Sequence, residues 1–325
     1  MSTKNRLCLG ALTLVWGFGF LFIKVALRDL NPYDVVLGGL LTAALALRLF
    51  SAAVGLRLPR ERATWAHFVV MAMLTNIAPY LLFAWAEIRI TAGLAAVING
   101  TTPLFTFGLA LATRTERANV GRLIGLAIGL GGVVVLAGPW AGTSTSPISG
   151  VAAALVGSAC YAAAYIYARR FLAPLPHSPL SLSTGQMMAG AAILALAAPL
   201  FFRTPSHLPI EAGASVIALG VISTGIGYIL TYRLIAEEGA TSAALATYLV
   251  PIVAVTLAAL LLREPVTWRL LVGAGTVLLG VAGAQGYWHR RGAVEHRRPS
   301  PTSAPGGTLY KPGEPHRVRS AAPPR

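Results

Sequence analysis

The first apolar block of the chain carries aromatic and polar side chains on one helical face. Thr13, Trp16, Phe20 and Lys24 follow the spacing i, i+3, i+7, i+11, which lines one side of an α-helix. Aromatic walls with a few polar groups suit a small amphipathic solute, and the ammonium of Lys24 can meet a carboxylate or a phosphate. Two plainer interpretations stay open: the rings pack or anchor the helix, and Lys24 extends its ammonium to the nearby interface.

Similar stripes recur in later apolar blocks. Asn76 and Tyr80 lie four residues apart, as do Thr224 and Tyr228, so each pair shares a helical face. Such side chains either contact a solute or join neighbouring helices through hydrogen bonds. The full set of candidate solute-binding residues is Trp16, Phe20, Lys24, Asn76, Tyr80, Asn99, Thr102, Tyr161, Tyr165, Arg169, Thr224, Tyr228 and Thr247.

The elements that must position these side chains are apolar blocks long enough to cross a membrane. Of the 325 residues, 55% are hydrophobic and 11% are charged, against roughly 25% charged in soluble domains. Each block approaches the ~20 residues that a helix needs to span hydrocarbon. The sequence predicts an all-α integral membrane protein with ten transmembrane helices, over approximately residues 7–27, 34–55, 65–86, 91–113, 120–140, 150–168, 181–202, 213–235, 240–262 and 268–288.

The chain also repeats itself. A shift of 148 positions superposes residues 76–133 on residues 224–281 without a gap and brings Pro103 onto Pro251. The two prolines are predicted to shape their helices, since proline frees a carbonyl and permits bending. The glycines of the fifth block are predicted to allow close helix packing. We predict two five-helix repeats, residues 1–142 and 143–288, and a tail over residues 289–325.

An odd number of helices in each repeat makes the second repeat inverted relative to the first. Inverted repeats are a recurrent device of secondary transporters, which bind substrate near the membrane midplane and expose it alternately to the two faces. Lys24 and its counterpart at a shift of 145, Arg169, would then lie at opposite mouths of the cavity. The repeat therefore predicts a transporter.

Positive charge is distributed unequally along the chain. With the N-terminus placed in the cytoplasm, 19 of the 26 Lys and Arg residues fall on the cytoplasmic side, five on the outer side and two within the blocks. Because Lys and Arg accumulate in cytoplasmic loops, we predict a multi-pass protein of the plasma (inner) membrane with both termini cytoplasmic. The basic tail is predicted to be disordered and to face anionic inner-leaflet lipid, with no nucleic-acid partner.

Two sequence patterns resemble the EamA-type ten-span branch of the drug/metabolite transporter superfamily. One is VWGFGFLFIKVAL; the other is ITAGLAAVINGTTPLFTFGLALATRTE with its counterpart GATSAALATYLVPIVAVTLAALLLREPVTW. In the second pattern small residues lead to a proline, and a glutamate follows thirteen positions later. The resemblance covers roughly residues 5–287.

This resemblance implies an inner-membrane exporter or permease. Its central cavity is expected between spans one, three and four and their counterparts six, eight and nine. We expect secondary transport of a small metabolite, an amino acid or a related solute, in the direction of efflux. Uptake and drug export by the same fold are the alternatives.

A lipid-modifying membrane enzyme is the rival from another class. The only aspartates, Asp29 and Asp34, share one short loop, and the histidines lie at block ends, in loops or in the tail. No nucleophile or metal constellation can be assembled from them, so we predict no enzyme, no cofactor and no metal. The carboxylate nearest to mid-span, Glu87, ends the third block, which does not favour a buried acid as proton carrier. Substrate, direction, coupling ion and oligomeric state, for which a monomer is one option, stay open.

Overall fold

The structure, a computed structural model, describes residues 3–113, 120–137, 147–172, 174–203, 208–238 and 240–284. Over these residues the chain is helical and has no β-strand, which confirms the predicted all-α class. The helices are α1 (Thr3–Ala26), α2 (Pro32–Ala53), α3 (Arg62–Ala72), α4 (Ala78–Glu87), α5 (Ala92–Asn99), α6 (Thr102–Ala112), α7 (Val120–Ala137), α8 (Pro147–Tyr167), α9 (Pro179–Phe201), α10 (Ile210–Ala218), α11 (Gly227–Glu238), α12 (Ala240–Leu261) and α13 (Trp268–Ala284).

Several helices begin at N-capping residues of the types that favour a helix start. The side chain of Asn31 caps α2 by accepting a hydrogen bond from the backbone N–H of Asp34 at 3.0 Å. Thr91 caps α5 in the same way, through the N–H of Leu94 at 3.2 Å, and Ser178 caps α9. Such caps satisfy backbone donors that a helix start leaves open.

Within the part of the chain that the structure describes, eight stretches are long and apolar enough to cross a membrane, and they overlap the first eight predicted blocks. The last two blocks correspond to helices α12 and α13, whose apolar stretches, Leu249–Leu261 and Trp268–Ala284, are shorter. The count of ten spans therefore stays a prediction. Large apolar side chains point outward on these helices, among them Leu196 at 83% and Ile210 at 90% exposed, as a hydrocarbon environment requires.

Among the described residues, three segments have π-helical rather than α-helical geometry. Met73–Ile77 lies between α3 and α4, Ala168–Leu172 follows α8, and Leu219–Ile226 lies between α10 and α11. Two of them occupy matching places, because a shift of 148 carries residues 73–77 onto residues 221–225. The periodicity of the sequence does not predict these segments, which often occur at functional sites.

Helices α7 and α13 pack against each other through glycines. A Cβ added to Gly125 would lie 2.8 Å from the carbonyl oxygen of Gly280, and one added to Gly132 would lie 3.0 Å from that of Gly273. Gly129 is equally tight against Leu104. These distances leave no room for a side chain, so the predicted role of the glycines in close packing is confirmed. The two helices run antiparallel, since the earlier glycine of one faces the later glycine of the other.

Candidate functional site

A small cavity of ≈ 80 Å³ lies between α1, α4, α5, α8, α12 and the π-helical segment Leu219–Ile226. These elements belong to the six predicted spans that the family resemblance implied, namely one, three, four, six, eight and nine. The lining residues are Trp16, Gly19, Phe20, Ile23, Tyr80, Phe83, Asn99, Tyr161, Leu219, Ser223, Thr224 and Val250.

Helix α1 supplies one long wall of the cavity. Trp16, Gly19, Phe20 and Ile23 line it because the spacing i, i+3, i+4, i+7 places them on one face. At Gly19, α1 lies close to the π-helical segment: a Cβ at this position would be in ordinary contact, 3.5 Å from the side chain of Ser223. The hydroxyl of Ser223 in turn donates to the carbonyl of Val15 at 2.9 Å. The wall is thus fixed by a hydrogen bond beside the cavity.

Aromatic rings from three helices pack together at the cavity. Phe83 of α4 packs edge-on against Phe20, with the ring centroids 5.9 Å apart, and stacks on Tyr161 of α8 at 6.1 Å. Such ring pairs stabilise a fixed arrangement beyond their burial alone. They leave an apolar surface that suits the hydrocarbon part of a solute.

Two reciprocal hydrogen bonds join α4 to α11 and the π-helical segments next to them. The hydroxyl of Tyr80 lies 3.4 Å from Thr224 Oγ1, and Asn76 Nδ2 donates to the hydroxyl of Tyr228 at 3.3 Å. Tyr80 and Thr224 line the cavity, whereas Asn76 and Tyr228 lie behind them. The four residues that share stripes in the sequence therefore meet, but only two of them face the space.

A buried polar network extends this contact to α9. Gln186 Nε2 donates to Thr75 Oγ1 and to Asn76 Oδ1, each at 2.5 Å. Gln186 and Asn76 are fully buried, so these bonds replace water that the site excludes. Sequence reasoning missed Gln186 and Thr75. The available signal was a carboxamide inside an apolar block, because such a side chain needs a partner in hydrocarbon.

The fourth predicted span is broken beside the cavity. Helix α5 ends at Asn99, α6 begins at Thr102, and Pro103 stands in the first turn of α6. Asn99 lines the cavity, whereas Thr102 is buried and donates to the carbonyl of Asn99 at 2.7 Å. Pro251 instead lies inside the continuous helix α12. Pro103 therefore follows a break in its helix, whereas the equivalent Pro251 lies within an unbroken helix.

Of the remaining candidates, Lys24, Tyr165 and Thr247 are not among the lining residues. Lys24 Nζ donates to the backbone carbonyls of Glu87 and of Ile90, the latter at 2.9 Å. Tyr165 is 47% exposed, and Thr247 is buried without lining the cavity. The structure describes the backbone at residue 169 within the segment Ala168–Leu172, while the side chain of Arg169 lies outside the described part.

The cavity is neutral as well as aromatic. Its polar groups are the hydroxyls of Tyr80, Tyr161, Ser223 and Thr224, the indole N–H of Trp16 and the carboxamide of Asn99, and no ionisable acid or base of the Asp, Glu, Lys, Arg or His type is among the lining residues. Across the described ranges, no three His, Cys, Asp or Glu side chains gather as a metal site would require. Such a lining can hold an amphipathic molecule through ring contacts and hydrogen bonds.

The model of the EamA-like transporter family matches residues 6–138 and, a second time, residues 148–284. The chain belongs to the EamA-like transporter family. The resemblance drawn from the sequence patterns is confirmed. This EamA family member is a transmembrane transporter, and its relatives are named as transporters and not as enzymes, in agreement with the prediction that it is no enzyme.

Similar proteins come from bacteria and an archaeon. An uncharacterized transporter of Archaeoglobus fulgidus is 27% identical to this EamA chain over 86% of it and 97% of the relative. A protein of Streptantibioticus cattleyicolor named as a probable terminal-alkyne amino-acid exporter is 29% identical over 84% and 89%. One of Salmonella typhimurium named as a probable amino-acid metabolite efflux pump is 24% identical over 86% and 94%. A solved structure, 19% identical, covers 90% of this chain and 99% of its own with a TM-score of 0.63, which shows a shared fold.

Proposed function

We propose that this protein is a secondary transporter that moves a small amphipathic metabolite, an amino acid or a related solute, out of the cell by alternating access. The observation that carries the proposal is the cavity between six helical elements, lined by aromatic rings and neutral hydrogen-bonding groups. A neutral lining favours solutes without net charge, and a zwitterionic amino acid meets that condition. The names of two relatives, a probable terminal-alkyne amino-acid exporter and a probable amino-acid metabolite efflux pump, support the solute class and the direction.

Ten spans arranged as two inverted five-helix repeats, residues 1–142 and 143–288, are part of the proposal. Two pairs of contacts support it, because each pair is reciprocal under the shift of 148. Asn76 contacts the equivalent of Tyr80, and Tyr80 contacts the equivalent of Asn76. Reciprocity of this kind is the mark of a two-fold axis, as in a symmetric dimer.

The glycines of α7 and α13 form the second reciprocal pair. Gly125 faces Gly280, the equivalent of Gly132, and Gly132 faces Gly273, the equivalent of Gly125. A parallel pair of helices would bring each glycine close to its own equivalent instead. The crossed pattern therefore supports repeats of opposite orientation in the membrane.

Membrane orientation can be tested with reporter fusions. We expect fusions after Arg60, Arg117 and Arg170 to report the cytoplasm, and fusions at Gly142 and Ser206 to report the opposite side, because Lys and Arg concentrate in cytoplasmic loops. Paired alkaline phosphatase and green fluorescent protein fusions measure this, and each serves as the control for the other. A cytoplasmic signal at Gly142 would contradict the inverted repeat.

The plasma membrane, two cytoplasmic termini, a monomer and a basic tail that faces anionic lipid complete the proposal. The tail, residues 289–325, lies outside the described residues. Its Lys and Arg residues support attraction to the inner leaflet, at about 1 kcal/mol for each cation near the surface.

Transport through the cavity can be tested at Tyr80. In proteoliposomes of the full chain, we expect counterflow of a mixture of the common radiolabelled L-amino acids. We expect Tyr80→Phe to weaken apparent affinity by about two- to tenfold, equivalent to a lost hydrogen bond of about 0.5–1.5 kcal/mol, with an unchanged melting temperature. The matched control is Tyr167→Phe, which removes a hydroxyl bonded to His67 Nδ1 at 2.7 Å outside the cavity lining.

The result separates the alternatives. Equal apparent affinity of wild type and Tyr80→Phe for the amino acids would contradict the proposal that they bind in this cavity. Absence of counterflow for amino acids, with binding of cationic drugs by thermal shift, would favour the drug exporter. Uptake in place of efflux would be seen in cells loaded with the same mixture, as accumulation that requires the expressed protein.

A further inference from the structure

Glu87 is a fully buried carboxyl group without a partner. It is the last residue of α4 and of the apolar stretch Arg62–Glu87. Its exposed fraction is 0%, and neither carboxyl oxygen has a hydrogen-bond partner among the described residues. An ionised carboxylate in such a place loses its hydration without compensation, so the group takes up a proton instead. Its position at the end of an apolar block had not favoured a buried acid as proton carrier, yet the structure buries Glu87 completely.

The nearby charges are engaged with the backbone. Lys24 donates to the carbonyls of Glu87 and Ile90, where α4 ends. Glu264 accepts from the N–H groups of Ala92 at 3.0 Å and Gly93 at 3.2 Å, where α5 begins. Each charge has the sign that the adjoining helix end favours. Both ions therefore have partners, while the carboxyl group of Glu87, which interacts with each of them electrostatically, has no hydrogen-bond partner in the described part of the chain.

The elements around α4 supply few other ionisable groups. Lys24 attracts and Glu264 repels a negative charge on Glu87. On α2, the hydroxyl of Tyr33 donates to the carbonyl of Leu194, and Asp34 bonds to Asn31. Helix α5 and the π-helical segment before α4 contain no ionisable side chain, and the ionisable side chains of α8 are Cys160, Tyr161, Tyr165 and Tyr167. Lys24 is thus the cation placed to receive a carboxylate at Glu87.

The carboxyl group lies just beyond one end of the cavity. Phe83, one helical turn before Glu87 on α4, lines the cavity, and so does Ile23, the neighbour of Lys24 on α1. Movement of α1 against α4 at this end would open the cavity and bring water to Glu87. Opening of the cavity at this end would therefore be accompanied by proton exchange between Glu87 and water.

We propose that Glu87 is the proton-binding site that couples transport in this protein to the proton gradient. The proposal rests on the proposed transport function. In the closed arrangement the carboxyl group keeps its proton. When the cavity opens to the cytoplasm and the solute binds, the O–H bond breaks, the proton passes to the water on that side, and the carboxylate left behind is stabilised by the ammonium of Lys24. When the cavity opens to the other side and the solute leaves, the carboxylate takes up a proton from the water there, so one cycle carries one proton inward for each solute that moves outward.

The first test asks whether Glu87 holds a proton. Infrared difference spectra of the full-length protein at neutral pH should show the C=O band of a protonated carboxyl group. The band should be lost in Glu87→Gln and kept in Glu211→Gln, a control on an exposed acid at the start of α10. Because glutamine imitates a neutral carboxyl group, Glu87→Gln should fold and melt like wild type. Absence of the band from wild type, or failure of Glu87→Gln to fold, would overturn the proposal.

The second test asks whether that proton is used. In proteoliposomes with the radiolabelled L-amino-acid mixture, Glu87→Gln should keep counterflow at equal pH and lose all acceleration by an imposed pH gradient. Wild type and Glu211→Gln should respond to the gradient. An unchanged response in Glu87→Gln would overturn the coupling. Loss of counterflow in all three proteins, with the infrared band intact, would instead contradict the proposed function and support Glu87 as a proton-binding site.

Discussion

Gly280→Leu should prevent the protein from accumulating in folded form. A Cβ at this position would meet the backbone of Gly129 and lie 2.7 Å from the carbonyl oxygen of Gly125. Backbone atoms cannot turn aside as a side chain can, so α7 and α13 would have to separate along their contact. Overpacking costs about 1–3 kcal/mol even where side chains can adjust, and total stability is only about 5–15 kcal/mol. We expect Gly280→Leu to lower the free energy of unfolding by about 3 kcal/mol or more.

The matched control is Gly275→Leu on the same helix. A Cβ at Gly275 would meet nothing within 4 Å, so leucine there points away from α7 and should be tolerated. Fluorescence-detected size-exclusion chromatography of fusion proteins, followed by melting curves of whatever is recovered, compares the two. A monodisperse Gly280→Leu protein that melts like wild type would contradict the packing described here.

Gly19→Leu should abolish transport and leave the fold intact. Gly19 and Ser223 both line the cavity, and a Cβ on Gly19 would stand 3.5 Å from Ser223, an ordinary contact distance. The first carbon of the new side chain therefore fits, and the remainder enters a space of ≈ 80 Å³. Filling an internal cavity with apolar atoms is neutral or favourable for stability, so activity and stability should separate.

The comparison for this variant is Gly10→Leu, also on α1. Gly10 is exposed, and a Cβ there meets nothing within 4 Å, so the same substitution faces outward. We expect full counterflow of the amino-acid mixture with Gly10→Leu and none with Gly19→Leu, at equal melting temperatures. Counterflow through Gly19→Leu at the wild-type rate would show that the solute takes another path.

The sequence by itself determined the class of the protein. Apolar blocks near the length of a membrane span predict helices because backbone groups in hydrocarbon must satisfy one another, and the first eight blocks overlap the spans found. Helical periodicity also placed Trp16 and Phe20 on a common face, and both line the cavity. The recurring spacing of glycines within α7 indicated a close contact, which the structure shows with α13.

Tertiary structure decided which polar groups face the solute and which face other helices. Periodicity gives the residues that share a face, but it does not say which helix lies opposite. The π-helical segments widen a turn and so change the direction of the side chains after it, which helps to separate Tyr80 in the cavity from Asn76 in the network with Gln186. The sequence shows a carboxamide at Gln186 inside an apolar block, but it does not show that this side chain lies opposite Asn76.

The charged residues show the same division. The sequence placed Lys24 near a helix end, but its partners are backbone carbonyls at the end of α4, which every residue type supplies equally. Glu87 ends an apolar block and would be solvated on an isolated helix, yet the neighbouring helices bury it completely. Burial depends on what packs over a side chain, and so only the assembled bundle could make this carboxyl group a candidate for binding a proton.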